Sequence, residues 1–369
     1  MNTSVLYSKI FKPFMFRLDA ERAHHLTIDS LAAAGRIPGA TSILNAMYGV
    51  KPSPELAVDL FGLHFDHPVG LAAGLDKNGE ATDGFSNTGL AFMEVGTVTP
   101  KGQAGNDLPR LFRLPSDEAL INRMGFNNKG AEAMADKLSR RRSRKVPLAV
   151  NIGKNKVTPN ELAHEDYRSC IQTLYDQGDF FVVNISSPNT PDLRALQHGD
   201  ELKLLLSTVN EEMGKQAAKR KAAVKPILVK IAPDMTDEQL EYTVDTIASS
   251  GVSGIIATNT TLSREGLTHP NAKEAGGMSG KLLCARSTEV ISAVYRQTGG
   301  KLPIIGSGGI FTADDAYDKI CAGASLVEVY TALIYKGPDL FRELTDGLKE
   351  RLKRDGFRSI QEAVGSNHH

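Results

Sequence analysis

Polar side chains recur at the ends of short apolar segments of this sequence, where they could bind a ligand or transfer protons. Two of them are lysines, Lys77 and Lys230. Burying a lysine costs free energy unless an anion compensates its charge, so both indicate a bound anion or a negatively charged product. The others are amides and hydroxyls, namely Thr97, Asn151, Asn184, Ser187, Thr258, Asn259, Thr260, Tyr330 and Thr331. Any single Asn or Thr could simply cap a helix or turn, but the whole set favours a binding site.

Two glycine-rich segments could bind a phosphate group. They are IGSGGI from Ile305 to Ile310 and GMSG from Gly277 to Gly280. Glycine lets backbone N–H groups approach phosphate oxygens closely, and the helix predicted after the first segment adds a favourable dipole. Glycines in such places could also serve tight turns alone.

The phosphate could belong to FMN or to a sugar-phosphate substrate. The amides of Asn151, Asn184 and Asn259, with lysines nearby, suit a flat heterocycle of alternating donors and acceptors, which favours FMN. A sugar-phosphate lyase or isomerase would need a carboxylate base or a Schiff-base lysine, and Lys230 keeps that alternative open.

The elements that must position these residues repeat regularly along the chain. Each predicted strand is followed by a helical pattern, as at 236–249 and 312–321, which is typical of a parallel sheet. Eight such repeats predict a (β/α)8 TIM barrel with its chemistry at the carboxyl ends of the strands. An open doubly wound sheet would carry a dinucleotide-binding glycine fingerprint, which is missing here. The strands are predicted to begin near Val69, Phe92, Leu148, Phe180, Ile227, Gly254, Ile304 and Leu326.

Composition narrows the class of protein. Among 369 residues, 43 basic and 43 acidic side chains give a net charge of zero, so no nucleic-acid partner is expected. The local basic runs at 137–145 and 215–225 are predicted to be solvated surface. Three widely spaced cysteines indicate neither disulfides nor a metal site, and they fit a reducing compartment. We find no apolar run long enough to cross a membrane.

Residues 4–49 precede the first predicted strand and are extra to a barrel. They contain the apolar, mildly cationic stretch YSKIFKPFMFRL and a second helical pattern over 20–34. Five basic and three acidic residues give this segment a charge of +2. It could lie on an anionic membrane surface as two amphipathic helices, or it could cover the bottom of the barrel. We predict an extension at 1–50 and a catalytic barrel at 51–369, with His368 and His369 set aside because they could be a tag remnant.

Five motifs, taken together, give the sequence a specific resemblance. They are AAGLDKNGE from Ala72, INRMGFNN from Ile121, VNISSPNTP from Val183, VKIAPD from Val229 and IGSGGI from Ile305. With DAERAHHLT from Asp19, the chain resembles the class 2 dihydroorotate dehydrogenases, which use quinone and associate with membranes. The resemblance spans roughly 68–331. The serine in NISSPNT also points to class 2, because the related soluble class has cysteine there.

The resemblance implies an activity and a location. The chain would oxidise (S)-dihydroorotate to orotate in de novo pyrimidine (UMP) biosynthesis, with FMN at the barrel mouth and a membrane quinone reoxidising it. It would be a monomer held peripherally on the cytoplasmic face of the cell membrane, so the membrane interpretation of residues 4–49 is favoured.

The resemblance also implies roles for individual residues. Ser187 would take the proton from C5 while a hydride passes from C6 to flavin N5, and strand alternation would turn Ser186 to the opposite face. FMN would contact Ala73, Gly74, Lys77, Thr97, Asn151, Asn184, Lys230, Thr258, Gly280, Gly309, Tyr330 and Thr331. Dihydroorotate would contact Lys77, Asn122, Arg123, Met124, Gly125, Phe126, Asn184, Asn189, Asn259 and Thr260.

His24 and Arg113 are expected to line the quinone entry. Arg113 could instead pair with Asp107, Asp117 or Glu118.

Three rival functions stay open on the sequence alone. The glycine loops would also suit a barrel lyase or isomerase acting on a sugar phosphate. The N-terminal helices could be the functional part of a non-catalytic module that binds membrane surfaces. A different flavin barrel could act on dihydropyrimidines without a carboxylate, although Lys77 argues for a carboxylate.

Overall fold

Eight parallel strands form a closed barrel in the computed structural model, which describes residues 3–368. Each strand pairs with the next along the chain, and the last pairs with the first. The predicted (β/α)8 barrel is therefore confirmed, with every strand close to its expected start. The strands are β1 (Val69–Leu71), β2 (Met93–Val98), β3 (Leu148–Ile152), β4 (Phe180–Asn184), β5 (Ile227–Ile231), β6 (Gly254–Ala257), β7 (Ile304–Ser307) and β8 (Leu326–Val329).

The helices surround this barrel, and two of the caps predicted from sequence are present. Thr236 and Gln239 form a capping box at the helix Asp237–Ser249, and Thr312 with Asp315 does the same at Ala313–Cys321. Other α-helices are Thr82–Phe85, Ala131–Ser139, Ala163–Leu174, Gly199–Arg220, Cys284–Thr298, Thr331–Lys336, Leu340–Asp355 and Ile360–Ala363. Short 3-10 helices are Pro115–Asp117, Asn160–Leu162, Leu193–Gln197, Pro270–Lys273, Lys281–Leu283 and Ser366–His368.

Three small antiparallel sheets lie outside the barrel. The hairpin Val58–Leu60 with Leu63–Phe65 closes the bottom, where Phe65 packs edge-on against Phe92. The other two sheets lie at the mouth of the barrel. One pairs Lys101–Gln103 with Asn128–Gly130, and the other joins Leu111–Leu114, Ala119–Asn122 and Gly277–Gly280.

The first helices of the N-terminal segment lie near the mouth of the barrel. It forms Thr3–Leu6, the π-helix Tyr7–Phe11, Lys12–Arg17, Ala20–Arg36 and Ala40–Tyr48, more helices than the two patterns predicted. Phe16 packs edge-on against Tyr335, which follows β8, and the Tyr7 hydroxyl donates to the Ile334 carbonyl. The helices from Thr3 to Arg17 therefore do not cover the barrel bottom, whereas the carbonyl of Tyr48, at the end of the last helix, lies beside Gly89 in the loop before β2.

Within residues 3–368, no helix combines the length and the hydrophobicity that a membrane crossing would need. At the C-terminus, His368 stacks on Tyr295 with ring centroids 4.9 Å apart. His369 lies outside the described residues.

Candidate active site

A cavity opens at the carboxyl ends of the barrel strands and gathers nearly all the predicted site residues. Its empty space, including the open mouth, is about 1200 Å³. Asn151, Arg123 and Arg113 are the predicted residues that do not line it. Those that do are His24, Ala73, Gly74, Lys77, Thr97, Asn122, Met124, Gly125, Phe126, Asn184, Ser187, Asn189, Lys230, Thr258, Asn259, Thr260, Gly280, Gly309, Tyr330 and Thr331.

Lys230 lies at the cavity floor between two buried carboxylates. Its Nζ is 3.0 Å from Glu94 Oε2 and 2.7 Å from Glu328 Oε1. Burial alone would lower the pKa of Lys230, but the charges of Glu328 and Glu94 outweigh it and hold the pKa above its ordinary value. The anions that compensate this lysine belong to the chain itself, so its burial alone does not require a bound anion. A protonated, twice-paired amine is also a poor Schiff-base nucleophile.

An amide and hydroxyl network extends from this floor across β2, β3 and β4. Asn151 donates to Glu94 Oε1 at 2.6 Å and accepts from the Thr97 hydroxyl at 2.5 Å, which holds it beneath the cavity wall. Asn184 in turn donates to Thr97 Oγ1 at 2.9 Å. Because each polar group is satisfied by a neighbour, the side chains that reach the cavity are held in fixed orientations.

Ser186 and Ser187 lie in different surroundings. Ser186 is fully buried, donates to Asn184 Oδ1 at 3.1 Å and accepts from Asn259 Nδ2 at 3.0 Å. Ser187 lines the cavity, and its Oγ accepts from the Asn189 backbone N–H at 3.2 Å. This arrangement fits the expectation that one of the two serines is structural, since Ser186 is buried among amides and Ser187 faces the cavity.

The loop after β4 is ordered by Arg194, which the sequence did not reveal as a site residue. Its guanidinium donates to the carbonyls of Ser186 at 3.0 Å and Thr260 at 2.8 Å and pairs with Asp234 at 2.8 Å. Arg194 therefore ties the serine loop to the loop after β6. The Thr190 hydroxyl on the same loop is buried and has no hydrogen-bond partner among the described residues.

Lys77 is held in the cavity by its loop. Asp76 fixes that loop by accepting from the Glu80 and Ala81 backbone N–H groups, both at 2.8 Å. Burial lowers the pKa of Lys77 to about 8; the charge of Glu21 opposes this shift and that of Arg110 adds to it. Within residues 3–368 its ammonium makes no hydrogen bond or ion pair, so it is available to a ligand anion.

The helix Ala20–Arg36 forms one wall of the cavity. Its Glu21 pairs with Arg110 at 2.7 Å, a partly buried ion pair that joins the helix to the segment before Leu111. His24, one turn further on, lines the cavity. Burial, with smaller contributions from the charges of Lys77 and His25, lowers its pKa to about 3, so the imidazole is neutral at physiological pH.

Arg123 and Arg113 point elsewhere. Arg123 pairs with Glu274 at 2.8 Å and stacks on Phe112. Arg113 donates to the carbonyls of Met15 (2.9 Å) and Leu18 and lies over the Phe16 ring. The carboxylate partners considered for Arg113 are therefore wrong: this arginine fastens the N-terminal segment to the barrel.

The glycine-rich turn after β7 forms the opposite wall. Gly308 and Gly309 have positive φ values of 121° and 72°. A Cβ on Gly309 would lie 2.4 Å from the Cys284 backbone nitrogen, so no larger residue fits without a shift. Across the turn, the Ser279 and Thr331 hydroxyls are 2.8 Å apart. The wall therefore presents backbone and hydroxyl groups, which suit an anion.

Glu94 and Glu328 are the main site residues that the sequence interpretation missed. Each interrupts an apolar strand, in MEVGTV and LVEV respectively. A carboxylate inside a buried strand must be paired or neutral, which is a signal that could have identified them.

Comparisons with known proteins agree with one another. Residues 55–352 match the family model described as dihydroorotate dehydrogenase. Proteins named dihydroorotate dehydrogenase (quinone) are similar: that of Deinococcus deserti is 53% identical, covering 98% of this chain and 100% of its own. That of Deinococcus radiodurans is 50% identical over 96% and 98%.

A solved structure has the same fold. The dihydroorotate dehydrogenase of Eimeria tenella in complex with ferulenol superposes with a TM-score of 0.86 at 42% identity, covering 95% of this chain and 96% of that one. The chain therefore belongs to the dihydroorotate dehydrogenase family, in its quinone-dependent class 2.

Proposed function

We propose that this chain oxidises (S)-dihydroorotate to orotate in pyrimidine biosynthesis, with FMN as the bound redox cofactor and a membrane quinone as the final acceptor. The observation that carries the proposal is one cavity containing Ser187, an unpaired Lys77, several amides and a glycine-rich turn. That combination supplies a hydroxyl for proton transfer, a cation for a carboxylate and a wall for a phosphate.

The cavity suits FMN chemically. The Thr258 hydroxyl is buried and has no hydrogen-bond partner among residues 3–368, so it is available to a bound group. Ala73, Gly74, Thr97, Asn184 and Lys230 would hold the flavin ring, with Asn151 supporting them from beneath. Gly280, Gly309, Tyr330 and Thr331 would hold the phosphate. When bound, FMN would supply the hydride acceptor that no side chain can provide.

Dihydroorotate would lie over the ring near Lys77. A lysine ammonium makes a charge-assisted hydrogen bond to a carboxylate, and amides match the pyrimidine-dione edges. Asn189 donates to Asn122 Oδ1 at 3.1 Å, so two of the proposed substrate amides are already held together. Met124, Gly125, Phe126, Asn259 and Thr260 would complete the pocket, with Arg123 anchoring its loop from outside.

Ser187 would take the C5 proton. A serine hydroxyl is a weak base in water, so it needs an enclosed site and an outlet for its own proton. The Asn189 N–H already donates to Ser187 Oγ, which fixes the hydroxyl without taking its proton. That proton would leave through water or a neighbouring hydroxyl.

The N-terminal segment would carry the chain to the membrane and admit quinone past His24, with Arg113 securing the segment. Its apolar side chains remain exposed, including Ile10 at 58%, Phe11 at 53% and Phe14 at 57%. Exposed apolar residues beside cations suit an anionic membrane surface. We propose a monomer bound to the cytoplasmic face, with 1–50 serving the membrane and 51–369 the chemistry.

Anaerobic mixing of the purified protein with dihydroorotate tests the proposal. Loss of the oxidised-flavin absorbance is expected within a single turnover. Colourless protein would instead favour a sugar-phosphate lyase or isomerase, and equal bleaching by dihydrouracil would favour a dihydropyrimidine enzyme. Loss of every activity on deletion of 1–50 would favour a membrane-binding module.

A further inference from the structure

Among the described residues, the floor of the cavity contains two carboxylates and one cation, Lys230. Glu94 and Glu328 are each 1% exposed, and both contact Lys230 Nζ. If both carboxylates were ionised, one negative charge would remain uncompensated away from water. A buried charge of this kind is costly, and the usual response is that one group takes up a proton.

The two carboxylates differ in how well the chain stabilises their negative charge. Glu94 accepts three hydrogen bonds: from the Ala73 backbone N–H at 2.9 Å, from Asn151 at 2.6 Å and from Lys230 at 3.0 Å. Glu328 accepts one, from Lys230 at 2.7 Å, and its Oε2 is buried without a partner among the described residues. Hydrogen bonds to a carboxylate favour its ionised form, so the proton belongs on Glu328.

Within residues 3–368, the groups around Glu328 do not supply a second cation. It lies on β8 between β1 and β7, and neither Val69–Leu71 nor Ile304–Ser307 contains an ionisable residue. The charged groups facing it are Lys230 on β5 and Glu94 on β2. Lys77 and Tyr330 line the same cavity. Burial and the charge of Glu94 raise the pKa of Glu328 far above its ordinary value, although Lys230 opposes the shift.

We propose that Glu328 is a neutral carboxylic acid at neutral pH and a positioning residue for the reaction. Because Glu328 is protonated, the cavity floor carries no excess negative charge. The consequence for catalysis rests on the proposed function. Lys230 would stabilise the negative charge that develops on a bound flavin ring only while the cavity floor itself carries no excess negative charge. Ionisation of Glu328 at alkaline pH therefore slows flavin reduction and leaves Lys230 shared between two anions.

Infrared spectroscopy of the full-length protein tests the protonation state directly. With ¹³C-labelled glutamate, the carbonyl stretch of a protonated carboxylic acid is identified by its isotope shift. We expect this band at neutral pH, its loss at alkaline pH, and its absence in Glu328→Gln. Glu118, whose side chain is 40% exposed and pairs with Lys281, provides the matched control: Glu118→Gln keeps the band.

A second variant keeps the test decisive if Glu328→Gln fails to fold. In Glu94→Gln, Glu328 becomes the sole anionic partner of Lys230, ionises, and loses the band although the residue is still present. Persistence of the band in either variant, or its absence from the wild type at neutral pH, overturns the proposal.

The pH profile of flavin reduction separates this proposal from the proposed function. The wild type loses reduction rate at alkaline pH, and Glu328→Gln removes that loss. A protein that bleaches with dihydroorotate but lacks the infrared band keeps its function and refutes the role of Glu328. A protein that shows the band but never bleaches keeps the protonated Glu328 and refutes the proposed function, since the band needs no flavin.

Discussion

Replacing Lys77 by methionine removes the one cation in the cavity that makes no ion pair within residues 3–368. Methionine keeps much of the apolar stem and deletes the charge, so the loop held by Asp76 is expected to persist. A hydrogen bond to a charged group contributes about 1.5–3 kcal/mol. We therefore expect Lys77→Met to weaken dihydroorotate binding by roughly 10- to 150-fold.

The pH dependence of binding should change in the same variant. Lys77 has a pKa of about 8 in the free protein because burial disfavours its charge. A substrate carboxylate prefers the charged form, so affinity is full below that pKa and falls as the pH rises through it, by about tenfold per unit. In Lys77→Met this alkaline loss of affinity should disappear.

Anaerobic stopped-flow reduction at a series of dihydroorotate concentrations measures the apparent dissociation constant separately from the limiting rate. Lys129 offers a matched control, because it is exposed and pairs with Glu80 on the surface, so Lys129→Met should bind substrate normally. A Lys77→Met variant that keeps the wild-type dissociation constant and its alkaline decline would show that Lys77 does not bind the substrate carboxylate.

Ser187→Ala should bind dihydroorotate near normally but reduce flavin about 10²- to 10⁴-fold more slowly, as seen by comparing ligand titration with stopped-flow rates; an unchanged rate would exclude Ser187 as the base. Gly309→Ala should lose FMN and destabilise the fold by roughly 1–3 kcal/mol, because its positive φ and the nearby Cys284 nitrogen leave no room for a Cβ. Thermal unfolding measures the stability and absorbance measures the flavin content; full flavin retention would contradict this prediction. Changing Ile10, Phe11 and Phe14 together to serine should weaken both sedimentation with anionic vesicles and quinone turnover, while leaving flavin reduction intact. Val157→Ser, at another exposed apolar residue, is the control, and unchanged vesicle binding of the triple variant would exclude the membrane role.

The barrel could be predicted because its pattern is local. Each buried parallel strand appears as a short apolar run, and its following helix supplies caps such as Thr236 with Gln239. The polar residues that end these runs converge because all parallel strands point the same way. Ser187, Lys77 and the turn at Gly309 therefore share one cavity although they are far apart in sequence.

The contacts that sequence reasoning missed depend on how the barrel closes. Glu94 and Glu328 meet Lys230 only because β2, β5 and β8 face a common interior, and nothing near Lys230 in sequence predicts two carboxylates. Arg113 was expected to line the quinone entry, with a carboxylate from its own neighbourhood as the alternative partner. It instead donates to carbonyls of the N-terminal segment, whose path across the mouth no local pattern specifies.

The central proposal is that Ser187 takes the C5 proton of dihydroorotate while a bound flavin accepts the hydride from C6. Single-turnover reduction under anaerobic conditions with substrate deuterated at C5 or at C6 tests it most directly. We predict that the wild type bleaches with an isotope effect at each position, and that Ser187→Ala binds the substrate without bleaching on the same time scale. Flavin-loaded wild type that fails to bleach, or Ser187→Ala that bleaches at the wild-type rate, would contradict the account.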